Sequence, residues 1–313
     1  MIKLLRLIRN ENMKIYRRPR TWILLILLIG IVAFGTYQIH KFAPANPDWK
    51  QELTQQNTEY ENNLKDNPSK EARDYYEEHL KINEYRLEHD IAPPDGTVWG
   101  SVLEMSDLII LVTIFTVVIA ADAVAGEFSQ GTAKLLLIRP HSRAKVLLSK
   151  YLSAFQFSLL LLLVLLGASY GFGGLFNGFD GTTLPYVYAA GDGTVHELSM
   201  LPHILTVYGM SCISLLMTVT LAFMISTVFR SSSLAIALSM AVLLLSSTAI
   251  HLLKGYWWIK YYLFANTDLT VYLDGTPLRG DMTLTFSILV LVGYFVVMNV
   301  LSWTIFTKRD VAA

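Results

Sequence analysis

Six apolar stretches punctuate the chain, at residues 21–39, 102–125, 146–176, 201–229, 234–253 and 283–306, with polar segments of very different length between them. A rise of about 1.5 Å per residue carries even the first of these across nearly all of a ~30 Å hydrocarbon core. Residues 108–121 and 151–179 contain no charged side chain. The pattern predicts an all-α integral membrane protein with six transmembrane helices. Asp107 and Asp122 bracket the uncharged centre of the second stretch, which alone is too short to span, so the helix must include at least one of them. An acid at the bilayer centre costs roughly 2.5–3.5 kcal/mol, which predicts that both lie near the membrane surfaces.

The polar segments set the topology. Residues 1–20 carry seven of the 25 Lys and Arg against one acid, Glu11, with Leu4, Leu5, Ile8 and Ile15 at helical spacing. This reads as a basic amphipathic helix in the cytoplasmic interface, with Arg17 and Arg18 among its surface charges, or as a cluster that only fixes orientation. The apolar run after it exceeds the ~7–15 residues of a signal-peptide core, so an uncleaved anchor is expected. Short connectors at 126–145 and 230–233 and the tail at 307–313 carry excess positive charge, and an even number of crossings then puts both termini in the cytoplasm.

Three longer segments fall on the other side. Residues 40–101 hold two sparse apolar stripes, Trp49, Leu53, Tyr60 and Leu64, then Ala72, Tyr76, Leu80 and Leu87. They predict an extracytoplasmic helical hairpin, with Asn67 as N-cap and Pro68 at the first helical position of its second arm. It reads equally as a lid or capture element and as a solvated spacer. The glycines from Gly171 to Gly174 suggest a flexible helix exit, and 177–200 an outer loop rich in Gly and Asp. In 254–282, Tyr256, Trp257, Trp258, Tyr261 and Tyr262 crowd beside Lys254 and Lys260, as rings anchored at headgroup level or part of a re-entrant element.

Composition agrees with a membrane chain: 53% hydrophobic, 16% charged, mean hydropathy +0.43. A lone cysteine, Cys212, rules out an internal disulfide. No GxxxxGK[ST], HExxH or GxSxG motif occurs, so neither P-loop ATP hydrolysis nor the common hydrolytic chemistries are expected of this chain. Hydroxyls in the apolar stretches, such as Ser158, Ser169, Thr218, Thr220 and Ser246, read first as helix-packing groups and as a set suggest a route for an amphipathic cargo.

The connector carries the most specific signal. The order Glu127, Gly131-Thr132, Leu135-Leu136, Pro140, Arg143, Lys150 resembles the segment after the second membrane helix in permease subunits of ABC-2 type ABC transporters. That resemblance covers about 25 residues in motif and most of the chain in layout, departing from it in the long polar insert. It implies a coupling helix that docks into a groove on an ATPase subunit. Glu127 and Arg143 would shape the docking surface, Leu135 and Leu136 fill the groove, and Gly131 with Thr132 and Pro140 set the bends. It further implies two ATPase copies that hold ATP and magnesium, a second permease subunit, membrane lipid around the pair, no nucleic acid, and no cofactor on this chain. The expected activity is export of an amphipathic or lipid-like compound (drug, antimicrobial peptide or lipid) across a bacterial plasma membrane. The alternative is a non-transporting sensor or assembly factor acting through its insert. Asp122 lies only about one turn from Glu127, and both are expected beside the basic side chains of the connector, as structural ion pairs or as a lever between docking helix and pore.

Overall fold

The computed structural model describes residues 2–42, 46–66, 68–132, 142–179, 183–190, 193–273 and 277–308, without the side chains of 2, 3 and 71. The protein is an all-α, multi-pass membrane protein. Six helical segments are long and apolar enough to cross a bilayer: Pro19–Phe42, Val98–Ser129, Arg143–Asn177, Met200–Val228, Ser232–Leu253 and Leu284–Lys308. The chain forms two compact units, one of residues 1–29, 108–165 and 209–313, the other of residues 30–107 and 166–208.

In the first unit, α1 (Ile2–Tyr16) leads into α2 (Pro19–Phe42), whose first residues belong here. Between them Thr21 Oγ1 and Trp22 Nε1 donate to the carbonyls of Ile15 and Tyr16, at 2.6 and 2.8 Å, closing the corner. The core gathers buried Val117, Ala121 and Val124, together with Leu147, Tyr151, Val219, Phe223 and Ala235. Small residues at 120, 121 and 125 are fully buried, which lets helix backbones approach closely. Ser226 Oγ accepts from the N–H groups of both Val124 and Ala125, at 3.0 Å each. Other hydroxyls turn to carbonyls of their own helix, as Thr218 does to Ser214 and Ser158 to Phe155. Side chains on the last helix, Leu289, Val292, Val296 and Val300 among them, lie exposed, the surface a lipid-facing helix presents. Residues 257–272 run through three short 3-10 turns, with Tyr256, Trp257, Trp258 and Tyr261 exposed.

The second unit contains the expected hairpin, α3 (Trp49–Lys65) and α4 (Lys70–His89), joined through a stacked Tyr60–Tyr76 pair with ring centroids 5.6 Å apart and a 2.9 Å bond from Asn83 Nδ2 to Asn57 Oδ1. The second arm starts later than expected. Its N-cap is Ser69, whose hydroxyl accepts from Ala72 N–H, so Pro68 precedes the helix instead of opening it; Asn67 lies outside the described residues.

The second apolar stretch is not one uniform helix: α5 (Val98–Met105) gives way to a 3-10 turn at Ser106–Leu108, carrying Asp107, before α6 (Ile109–Ser129). The expected exit at Gly171–Gly174 is also corrected, since α7 runs unbroken over Arg143–Asn177. Gly173 serves packing there: a Cβ on it would sit 3.0 Å from Ser101 Cβ, and Asn177 Nδ2 donates to Ser101 Oγ at 2.9 Å. Residues 177–200 hold more than a loop, for β1 (Pro185–Ala189) pairs antiparallel with β2 (Val195–Ser199) ahead of α8 (Met200–Val228). α9 (Ser232–Leu253) and α10 (Leu284–Lys308) complete the chain.

Candidate functional site: an alternating ion ring on three helices

The turn after α6 is built from sequence chemistry alone. Gly131, at φ +69°, takes the left-handed conformation that side-chain-bearing residues resist. Gly131 N–H then reaches Phe128 O at 3.1 Å and Thr132 N–H reaches Glu127 O at 2.9 Å, the paired bonds of a Schellman cap. Thr132 Oγ1 also donates to the Glu127 carboxylate. Glu127 is thereby held at the last turn of its helix by contacts within five residues of it.

Three further charges close a ring with it. Lys14 Nζ lies 2.7 Å from Glu127 and 2.9 Å from Glu11; Lys150 Nζ lies 2.9 Å from Glu127 and 2.8 Å from Glu11. Each lysine bridges both carboxylates, and each carboxylate both lysines. Helical spacing supplies the two faces: Glu11 and Lys14 are one turn apart on α1, while Lys150, Ser153 and Gln156 recur every three residues along α7. Ser153 Oγ donates to Ile8 O at 3.3 Å, Asn12 Nδ2 donates to Gln156 Oε1 at 2.8 Å, and Tyr16 meets Phe157 edge to face. The N-terminal helix is thus seated along the start of α7. Burial works to lower the Lys14 ammonium, but its hydrogen bond to Glu127 and the charge of Glu11 outweigh this and hold it above its ordinary value.

A second knot adjoins the ring. The buried carboxylate of Asp122 accepts from Arg18 and Arg20 and from Ser232 Oγ at the start of α9. Gly126, one turn on, makes room for it: a Cβ there would lie 2.6 Å from Asp122 Oδ1. Ser129 Oγ accepts from Ser232 N–H at 2.8 Å and donates to Arg230 O at 3.2 Å, fastening the turn ahead of α9 to the end of α6. A small cavity of about 30 Å³ lies against the ring and the knot.

The sequence singled out Glu127, Gly131, Thr132, Arg143, Arg17 and Arg18 among residues described here. Glu127, Gly131 and Thr132 come together, and Arg18 joins Asp122. Arg143 lies elsewhere, donating from Nη1 to Thr307 O at 2.9 Å, and Arg17 is exposed. Leu135, Leu136 and Pro140 fall outside the described residues. Asp122 was expected beside the bases of the connector, but its partners are Arg18 and Arg20 from the N-terminal segment. Glu11, Lys14, Arg20 and Ser232 were not recognised as site residues. Their only sequence signal was the isolation of Glu11 among seven bases, an acid with an evident reason to be paired. Among the described residues, no three His, Cys, Asp or Glu side chains gather as a metal site.

Comparison with known proteins places this arrangement in a wider group. The chain is 44% identical to the Bacillus subtilis (strain 168) protein named "Uncharacterized protein YhcI" over 314 residues, covering 99% of this chain and 100% of that one. It is 36% identical over 223 residues to the "Uncharacterized membrane protein YdbK" of the same organism, covering 70% of this chain and 86% of that protein. Residues 80–312 match the family described as protein of unknown function (DUF2705), a span that includes α6 through α10 and all of the ring except its α1 members, and the chain belongs to that family.

Proposed function

We propose that this chain is the membrane-spanning permease subunit of an ATP-driven ABC-2 type exporter, moving an amphipathic or lipid-like compound out of a bacterial cell with the help of a separate ATPase. The observation that carries the reading is the ion ring. A subunit pushed from below needs the segment that receives the force to be fixed to the membrane helices, and Glu127 and Lys150, at either end of the resemblance, are pinned to each other and to α1. The connector at 126–145 would form the docking element, with Leu135 and Leu136 entering the ATPase groove. Glu127 then acts by holding the element's base, since its carboxylate is committed to Lys14, Lys150 and Thr132. Two ATPase copies carrying ATP and magnesium, and a second permease subunit, would complete the assembly. The exposed apolar side chains of α10 suit a lipid boundary.

Purification in mild detergent tests this: a stoichiometric ATP-binding subunit is expected to accompany the chain. Leu136→Ala should then uncouple ATP turnover from export without lowering the amount of folded protein. A cysteine at Ser142 should react with impermeant label only from the cytoplasmic side. Labelling from outside intact cells, or repeated absence of an ATPase partner, overturns the proposal and favours a membrane sensor acting through the insert.

A further inference from the structure

The second unit contains a cavity of about 500 Å³, within the ~300–1,000 Å³ typical of small-molecule sites. It is walled by α3, α4, the 92–97 turn and β1. Its floor holds Arg86, 7% exposed, on the face of α4 that also carries buried Asn83. Asp90 ends α4 at φ 58°, which swings the chain back so that Ala92 O accepts from Arg86 Nη1 at 2.9 Å. Among the described residues that is the one hydrogen bond Arg86 donates, from a guanidinium with five N–H donors. Asp95 acts on it through space without closing to an ion pair. Burial pushes the guanidinium below its ordinary value, with Asp95 opposing; since arginine keeps its proton, this marks a desolvated cation with most of its donors unused.

The rest of the lining is divided. Trp49, Tyr186 and Val187 give an apolar wall, and Tyr186 is held flat against His203 with ring centroids 3.7 Å apart. Glu52 and Asp95 place carboxylates on the same cavity. An arginine fork, aromatic side chains and two acids on one cavity, with Asp95 near enough to act on the Arg86 charge, match a molecule that carries a carboxylate, an apolar body and an ammonium. We propose that this cavity binds a short apolar peptide with free termini, its C-terminal carboxylate on Arg86 and its amino group toward Glu52 and Asp95. The inference goes beyond the exporter reading and stands without it, because binding here requires no ATPase.

The test is calorimetric titration of the full chain in lipid nanodiscs with the tripeptide Ala-Phe-Leu, its C-terminal amide and its N-acetyl form. The free peptide should saturate with a Kd below about 1 mM, and each blocked form should bind at least about tenfold more weakly. Arg86→Gln should abolish the difference between acid and amide. Gln56→Trp, which fills the cavity from a half-buried wall position, should remove binding of all three while leaving the melting temperature unchanged. Should Arg86→Gln fail to fold, the acid-to-amide ratio on the native chain and the Gln56→Trp variant still decide. Equal affinity for acid and amide, no saturable binding of the free peptide, or binding that survives Gln56→Trp overturns the proposal. A chain that binds the peptide yet purifies without an ATPase would leave this site standing and remove the exporter reading.

Discussion

Lys14 and Lys150 carry the same charge and touch the same two carboxylates, but their surroundings differ: the Lys150 side chain is 2% exposed and that of Lys14 is 35%. Removing a buried partner leaves uncompensated charge in a poorly solvated place, whereas water replaces much of what an exposed partner supplied. Lys150→Met is therefore expected to destabilise the protein by about 3–5 kcal/mol, and Lys14→Met by about 1 kcal/mol or less, read from thermal unfolding in detergent. The Lys14 contribution has a definite pH window. Because its folded value is raised, the contribution is complete below the ordinary lysine value of 10.5 and is lost as pH rises through the folded one. Native protein and Lys14→Met should thus keep a constant gap in melting temperature from neutral pH to about pH 10 and converge above it.

At the level of elements, the glycines of α7 separate two uses of the same residue. Gly171 has open space where a Cβ would go, while Gly173 faces Ser101 and the carbonyl of Val98, 3.0 and 3.3 Å away. Gly171→Ala should leave stability unchanged or raise it by up to ~1 kcal/mol through helix propensity. Gly173→Val should lower it by about 1–3 kcal/mol through overpacking. The pair is measured by the same melts, and equal effects would show that the close approach carries no weight. The sequence had made these glycines a helix exit, since propensity sees only local cost and not the neighbour that requires a bare backbone. The six spans were legible because uncharged runs of spanning length have few other fates, and the α3–α4 hairpin because its two stripes repeat at helical period. The β1–β2 hairpin was not: its strands are five residues each, flanked by Gly and Asp that signal loop, and Tyr186 and Tyr188 gain their place only by packing. Within the site, Gly131 and Thr132 stood out because a helix cap is written locally. The partnership of Glu11 with Lys150 spans 139 residues and depends on α1 lying along α7, which no short pattern records.

For the molecule working as a whole, the ring makes α1 and the start of α7 one body, joined again by Ser153 to Ile8, Asn12 to Gln156 and Tyr16 to Phe157. If the chain is the exporter subunit proposed above, two accounts of force transmission follow from such a joint. If the N-terminal helix slides against α7 during each cycle, the ring must break and re-form, and two bridging lysines would have to leave both carboxylates in a partly buried site. If the helix travels with α7, the ring stays closed and the cost is never met. The second is favoured by the redundancy of the bonding, since breaking any single contact leaves the others in register. Cysteines at Asn12 and Gln156, joined by a short bifunctional reagent in a background carrying Cys212→Ser, distinguish the two in the complex reconstituted with the proposed ATPase. Joint movement predicts that the cross-link changes cargo-stimulated ATP turnover and export by less than about twofold, a barrier change near 0.4 kcal/mol. By the same redundancy Lys150→Met leaves the Ser153–Ile8, Asn12–Gln156 and Tyr16–Phe157 contacts in place, so the fraction of this variant that folds should keep export coupled to ATP turnover. A cross-link that stops export while Lys150→Met does not would mean that the N-terminal helix must slide, and that the ring is a latch opened in every cycle rather than a permanent weld.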